Sequence, residues 1–326
     1  MVSLEQLCLL HPWLALQHAT MINHALKEWK IIANEIDLIA SHGQTIFHAP
    51  KSLHPNDAFG SGTFQIVDGD HLATATGIIT ISDFRQKHIA AGGEGAPLSL
   101  YGDYFLCAHA TENRILLNIG GIANFTLLHA NGDLSEVLSS DTGPGNTLMD
   151  AYTRKYFNGL SFDKDGAIAR SGNVNESLLN SLKSDSFFKL DFPKTSGPEL
   201  FNLDYLTQAQ MAIGVMLPHE DVLATLNKFT AQTISDAILK VTSRADQYTI
   251  YVSGGGLHNR LLMQHLSTLL PHFTITSSMD LDILPDAKEA ILFALLANEA
   301  VAGMPMLAGG NATQVATTLG KISFPN

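Results

Sequence analysis

Ser139-Ser140-Asp141-Thr142-Gly143-Pro144-Gly145-Asn146-Thr147-Leu148-Met149-Asp150-Ala151-Tyr152 sets a carboxylate, a glycine–proline turn and an apolar stripe in succession. Gly143, Pro144 and Gly145 argue against any helix or strand running through the stretch, so Asp141 is expected at the mouth of a loop. A helix is expected from about Asn146, because Asn and Thr cap well and Leu148, Met149 and Tyr152 share a face. Asp141 would then stand beside bare backbone N–H groups at a helix N-terminus, a setting that suits a general base working next to an anion. The same residues also read as a tight turn capped by Asp141. The flanking sequence has to decide.

Just upstream, Ile115-Leu116-Leu117-Asn118-Ile119-Gly120-Gly121 reads as a strand broken by two glycines, with 123–129 returning as its partner. A phosphate can come close at Gly120 and Gly121, where no Cβ intervenes. Downstream, a turn is expected at 163–166 and an irregular segment over 187–206. The charged residues of that segment, Lys194 and Glu199, read either as facing a cleft or as solvated. An amphipathic helix is expected over 221–241 and a strand over 248–252. Ser253-Gly254-Gly255-Gly256-Leu257-His258-Asn259 and a helix from about Arg260 to Leu270 follow. Strand, triple glycine and helix bring backbone amides and a helix N-terminus to one point, which is the shape of a nucleotide site. The spacing fits neither G-x-x-x-x-G-K-[ST] nor G-x-G-x-x-G. Asp286-Ala287-Lys288-Glu289-Ala290 opens a last helix that runs to about Val301.

The N-terminal part begins with one or two helices over 4–30, whose apolar positions include Leu10, Leu14, Leu16, Met21, Ile22, Ala25, Leu26 and Trp29, broken early by Pro12. A buried strand over 36–40 runs into Ser41-His42-Gly43-Gln44-Thr45, and open α/β sheets place ligands at such strand ends. His42 reads as catalytic or as a hydrogen-bonded structural histidine. A loop over 50–63, a short strand over 64–67, a helix over 71–76 ending at Gly77 and a β-branched strand over 78–82 come next. Asp83-Phe84-Arg85, Gln86-Lys87-His88 and Ala90-Ala91-Gly92-Gly93-Glu94-Gly95-Ala96-Pro97 follow that strand. They read as a sugar- or phosphate-binding edge, or as an Asp83–Arg85 structural pair over a flexible loop.

The 326 residues are 45% hydrophobic, enough for two cores of ordinary domain size. A net charge of −12 argues against a general binder of nucleic acid or anionic membrane. An anionic ligand therefore needs local help from glycine-rich backbone or a divalent metal. Cys8 and Cys107 lie far apart in apolar surroundings and are expected to be buried thiols of a reducing compartment. No apolar run reaches the roughly 20 residues of a membrane-spanning helix, and the first ten residues lack the basic start of a signal peptide, so the expected location is the cytoplasm.

Six motifs, in order, resemble the anhydro-N-acetylmuramic acid kinases from about Leu10 to Leu319. They are Ser41-His42-Gly43-Gln44-Thr45; Asp83-Phe84-Arg85 with Ala90-Ala91-Gly92-Gly93; Leu117-Asn118-Ile119-Gly120-Gly121; Asp141-Thr142-Gly143-Pro144-Gly145-Asn146; Phe201-Asn202-Leu203; and Gly254-Gly255-Gly256 with Asn259. The resemblance implies an α/β, two-lobed fold of the sugar kinase, heat-shock-70 and actin superfamily (ribonuclease H-like), with ATP in the interlobe cleft. The lobes are expected at 1–112, on the sugar side, and 113–326, on the nucleotide side, with the last helix packing back on the first lobe.

The resemblance also implies the reaction. These enzymes hydrolyse the 1,6-anhydro bridge of 1,6-anhydro-N-acetylmuramic acid, a product of cell-wall turnover, and phosphorylate O6 with Mg-ATP to give N-acetylmuramic acid 6-phosphate and ADP. Asp141 falls on the base that activates water. Asp83, Arg85 and Glu289, with His42, fall on or beside the sugar site. Gly120 and Gly121, with Gly143, Gly145 and Asn146, match a phosphate-contacting turn, and Gly254, Gly255, Gly256 and Asn259 the adenosine loop. ATP is the co-substrate and Mg2+ its companion; no residue is assigned as a metal ligand. The implied partners are small molecules, with no nucleic acid and no membrane, and the chain is expected to form a homodimer.

The family opens with a strand and a Gly-Thr-Ser-x-Asp-Gly loop on the ATP phosphates, and nothing like it precedes Leu4, so the first lobe is expected to be incomplete. His88 stands where an acidic residue is expected, Glu94 where Gln is expected and Val67 where Gly is expected. A catalytically inactive relative that still binds muramyl sugar or nucleotide, and a sugar kinase of another specificity, are the competing expectations.

Overall fold

The computed structural model describes residues 2–51, 54, 56–95, 97–243, 246–281, 287–306 and 315–326. Ala96, Asp286 and parts of the 50–63 loop, all used above, lie outside them. The chain divides into two units, Met1–Leu106 with Asp286–Asn326, and Cys107–Pro285.

In the first unit, α1 (Leu4–Trp29) is one continuous helix rather than a pair. Ser3 and Gln6 close a capping box at its start, and Lys30 ends it in the left-handed conformation. Pro12 removes a single intrahelical donor and does not break it. Only Ala15, Ala19 and Leu26 are buried, whereas Leu16, Met21 and Trp29, expected on the apolar stripe, are exposed. Cys8 on the same helix is exposed, against expectation, and Cys107 is buried. After α1 come β1 (Ile39–Ser41), β2 (Gln44–Ala49), β3 (Gly62–Ile66), α2 (Gly69–Thr76), β4 (Thr80–Ser82), α3 (Phe84–Ala90) and α4 (Ser99–Cys107). β1 and β4 run parallel, pairing Ser41 with Ser82, and β2 and β3 form an antiparallel hairpin. Val67, buried just past β3, has φ +109°, a conformation that a β-branched residue rarely takes. That is the position where glycine was expected.

In the second unit, β5 (Asn113–Ile119), β6 (Ile122–Leu128) and β7 (Leu138–Pro144) form an antiparallel meander. α5 (Thr147–Tyr156), α6 (Ala167–Ser171), α7 (Glu176–Lys183), α8 (Leu203–Ile213) and α9 (His219–Val241) follow, then β8 (Tyr248–Ser253), α10 (Arg260–Leu269) and β9 (Thr274–Ser277). The sheet order is β7-β6-β5-β8-β9, with β8 parallel to β5 and β9 parallel to β8. α9 and α10 bury Ile234, Ile238, Leu262 and Leu266 against Ile115, Leu117, Phe125, Ile250 and Val252 of the sheet. A second cluster joins Leu148 and Tyr152 of α5 to Leu178, Phe201, Leu206, Leu226 and Phe229. α11 (Lys288–Ala302) packs on β1, and β10 (Lys321–Ser323) pairs antiparallel with β4, so both complete the first unit. Among the described residues no helix is long and apolar enough to cross a membrane. The architecture is α/β, as expected.

Candidate active site

Asp141 does not lie in a loop. β7 carries it, as the edge strand of its sheet, and runs on through Thr142, Gly143 and Pro144. Proline is tolerated there because an edge strand has one side without ladder partners. The register slips between Ala123 and Asn124, so Asn124 faces Asp141 and Ala123 faces Gly143, and Thr142 is bulged. Gly143 takes φ +141°, and a Cβ on it would sit 3.0 Å from the Phe188 ring. Its freedom thus serves the bulge and the packing of Phe188.

The half-buried Asp141 carboxylate accepts the Ser196 N–H at 2.6 Å and the Ser196 hydroxyl at 3.4 Å, both on Oδ2. Burial raises its pKa above the ordinary carboxylate value; the Ser196 bonds oppose that rise and the Glu199 charge adds to it. A carboxylate whose affinity for protons is raised in this way is suited to general-base work.

The N–H groups next to it are not bare. Gly145 and Thr147 donate to the Gly121 carbonyl at 2.8 and 3.1 Å, and Asn146 donates to the Gly120 carbonyl at 2.8 Å. The β5–β6 turn satisfies these donors because Gly145 lets the chains meet: a Cβ there would lie 2.3 Å from the Gly120 oxygen. Asn146 begins α5 as expected, but its side chain donates to the Ile119 carbonyl at 3.2 Å instead of capping the helix. The open positions are therefore the turn glycines themselves. No heavy atom comes within 3.6 Å of a Cβ built on Gly120, and the nearest approach at Gly121 is 3.9 Å.

The triple glycine joins this cluster. A Cβ on Gly254, at φ +83°, would lie 2.7 Å from both the Asn118 side-chain oxygen and the Ile119 carbonyl, and one on Gly256 would lie 2.3 Å from the Ile119 side chain. Gly255 meets only the Asn146 amide, at 3.7 Å. The structure thus brings Gly120, Gly121, Gly145, Asn146, Gly254, Gly255 and Gly256 to one end of the sheet. Asn259 caps α10 through the Leu262 N–H and accepts from Asn227 of α9 at 3.1 Å, so its side-chain oxygen serves the fold.

In the first unit, Arg85 is the centre. Its Nε donates to His42 Nε2 at 2.9 Å and its Nη1 to the Gly95 carbonyl at 2.7 Å. His42 Nδ1 meets the Gly43 carbonyl at 3.1 Å, and the ring packs on Phe293 of α11 at 4.6 Å. Burial first, then Arg85, lowers the His42 pKa; the Gly43 bond and the Glu289 charge pull the other way. Neutral His42 with its proton on Nδ1 is the tautomer that can accept from Arg85. In place of the Asp83–Arg85 pair of the alternative reading, Lys321 of β10 donates to Asp83, which adopts a left-handed φ of +53° at the start of α3. Buried His88 accepts the Gly95 N–H at 2.9 Å, as the expected carboxylate would, and burial, then Arg85, lowers its pKa against the pull of Glu94.

Among the described residues no three His, Cys, Asp or Glu side chains gather to hold a metal ion. Sequence reasoning missed Ser196 and Lys321, and it singled out Lys194 without its pairing to Asp141. Ser196 and Lys194 meet Asp141 from 55 and 53 positions away, and no local pattern signals that pairing.

A family model described as anhydro-N-acetylmuramic acid kinase matches residues 2–325. A curated protein of that description from Pseudoalteromonas atlantica is 54% identical over 328 residues, covering 100% of this chain and 82% of its own length. Another, from Pseudoalteromonas translucida, is 53% identical and covers 99% and 81%. One from Caldanaerobacter subterraneus is 35% identical over 331 residues, covering 99% and 82%.

Proposed function

We propose the site's chemistry from one premise: the chain belongs to the anhydro-N-acetylmuramic acid kinase family. It is a sugar kinase of cell-wall recycling that acts on 1,6-anhydro-N-acetylmuramic acid. Asp141 takes a proton from water, whose oxygen attacks the anomeric carbon. The bond from that carbon to O6 breaks, and O6 takes the γ-phosphoryl group of ATP, leaving N-acetylmuramic acid 6-phosphate and ADP.

The glycine turns at Gly120–Gly121 and Gly254–Gly256 hold the phosphates and the nucleoside, with Gly143, Gly145, Asn146 and Asn259 fixing their frame. Phosphoryl transfer asks for positioning and charge neutralisation more than for covalent chemistry from the protein. Mg2+, which binds largely through substrate phosphates and water, neutralises charge on the transferred group when present. Arg85 binds sugar oxygens, oriented by His42, with Asp83 and Glu289 as further sugar-side groups. The observation that carries the reading is Asp141 itself: half-buried, raised in pKa, held by the Ser196 main-chain N–H, and carried on β7, the strand that runs into the Gly145–Asn146 segment docked on the Gly120–Gly121 turn.

The test is ADP release with Mg-ATP and the anhydro sugar, with the product identified by 31P NMR. ADP and the 6-phosphate in equal amounts are expected. Ligand binding without ADP release would instead favour a catalytically inactive relative, and faster release with N-acetylglucosamine or glucose a kinase of other specificity.

A further inference from the structure

Lys194 has no part in the roles above, yet its side chain is firmly placed. Nζ donates to the Phe187 carbonyl at 2.9 Å and lies 4.3, 5.1 and 5.7 Å from the ring centroids of Phe187, Phe192 and Phe188. A cation enclosed by aromatic faces in this way is held by their quadrupoles, and more strongly as water is excluded. Burial lowers its pKa, and Lys240 adds to the effect. Lys240 is itself 3.1 Å from Asp191 and lies over Phe192.

The main chain beside that anchor runs along the free side of β7. The Lys194 carbonyl accepts the Asp141 N–H at 3.0 Å and the Ser140 hydroxyl at 3.1 Å, and the Lys194 N–H donates back to Ser140 Oγ at 2.9 Å. Two residues on, Ser196 reaches the Asp141 carboxylate. Residues 194–196 therefore supply the partner that an edge strand lacks, and they do so at the reacting group.

We infer that Lys194 is a positioning residue for Asp141: its caged ammonium pins the 194–196 strap to the sheet edge, and the strap's main chain orients the carboxylate toward water. This rests on Asp141 being the base. A lysine in a kinase invites assignment to phosphate, but this one is directed into a cage of phenylalanines. Among the described residues, the charged group that acts on Asp141 besides the strap is Glu199.

Lys194→Met keeps the packing and removes the ammonium; Lys194→Arg keeps a cation that can bond to the Phe187 carbonyl and stack on the rings. For Lys194→Met, an unchanged thermal midpoint, KM values for ATP and sugar within about twofold and a kcat about tenfold lower are expected. The acid limb of its pH profile should move up by about one pH unit as the carboxylate loses the Ser196 N–H. Lys194→Arg should recover most of the rate. Wild-type kcat with an unmoved acid limb would overturn the proposal, and so would a raised KM for ATP with the limb unmoved, which would make Lys194 a phosphate ligand.

If Lys194→Met does not fold, Ser140→Ala opens the strap from the strand side and should move the limb in the same direction. Titration of the Asp141 carboxyl by 13C NMR, in wild type and Lys194→Met, reads the strap without relying on turnover. An unmoved titration sinks the strap, whereas near-normal turnover of Asp141→Asn sinks the base.

Discussion

Arg85 and Asp141 are the charged centres of two separate side-chain clusters, one within each unit, and they are held by different means. Asp141 is fixed by main-chain groups, the Ser196 N–H on its carboxylate and the Lys194 carbonyl on its own N–H. Arg85 is fixed by an imidazole and one carbonyl. Main-chain groups do not titrate and imidazole does. Asp141, the proposed base, should therefore keep its orientation across the working pH range, while Arg85, the proposed sugar ligand, should lose its orientation in acid.

The largest effect expected from this contrast is at Asp141. Asp141→Asn should lower kcat by at least about a hundredfold while leaving nucleotide affinity alone. A carboxyl whose folded pKa is raised contributes stability below its unfolded value of about 3.9, and that contribution is lost as pH rises through the folded value. At neutral pH the wild type thus carries a cost that Asn avoids, so the variant's thermal midpoint should equal or exceed the wild type's. A large fall in the midpoint would show that Asp141 holds the fold instead.

Next comes Arg85→Lys. A single ammonium cannot reproduce the fork that meets His42 and Gly95, so the KM for the sugar should rise about tenfold or more, with the KM for ATP unchanged. Equal changes in both would count against Arg85 as a sugar ligand.

The pH dependence sharpens it. His42 has a depressed folded pKa, as do His48 and His88, all chiefly through burial. Their contribution to stability is present above the unfolded value of about 6.5 and is lost as pH falls through the folded values. The sugar KM should be flat above about pH 6.5 and rise in more acid solution as His42 gains a proton on Nε2 and can no longer accept from Arg85. ATP affinity measured over the same range should not follow it.

A smaller effect is expected at the triple glycine. Gly254→Ala forces a Cβ against the Ile119 carbonyl at a positive φ, at a cost of about 2 kcal/mol in stability, with a raised KM for ATP. The smallest lies at Val67. Val67→Ala loses packing and keeps the strain, whereas Val67→Gly loses more packing and relieves it, so the glycine variant should be the more stable of the two by about 1 kcal/mol in chemical denaturation. The reverse order would mean that the φ of +109° carries no strain.

What could be read from the sequence was local. The β5–β6 hairpin, α9, β8 and α10 follow from apolar periodicity and turn residues, and the glycine cluster follows from the turns it contains. What escaped was set by distant partners. Pro144 sits in a strand because β7 lies at the sheet edge, and the donors at the start of α5 are taken because a second glycine turn docks there. Ser196 meets Asp141 across 55 residues, and Lys321 returns from the far end of the chain to Asp83. Pro12 is tolerated because a helix already capped by Ser3 and Gln6 can lose one donor.

The most direct measurement is nucleotide affinity and ADP release determined side by side for the wild type and Asp141→Asn, with Mg-ATP and 1,6-anhydro-N-acetylmuramic acid. Unchanged ATP binding with release at least about a hundredfold slower in the variant is the predicted result. Release near the wild-type rate would contradict Asp141 as the base and, with it, the placing of the chemistry on β7.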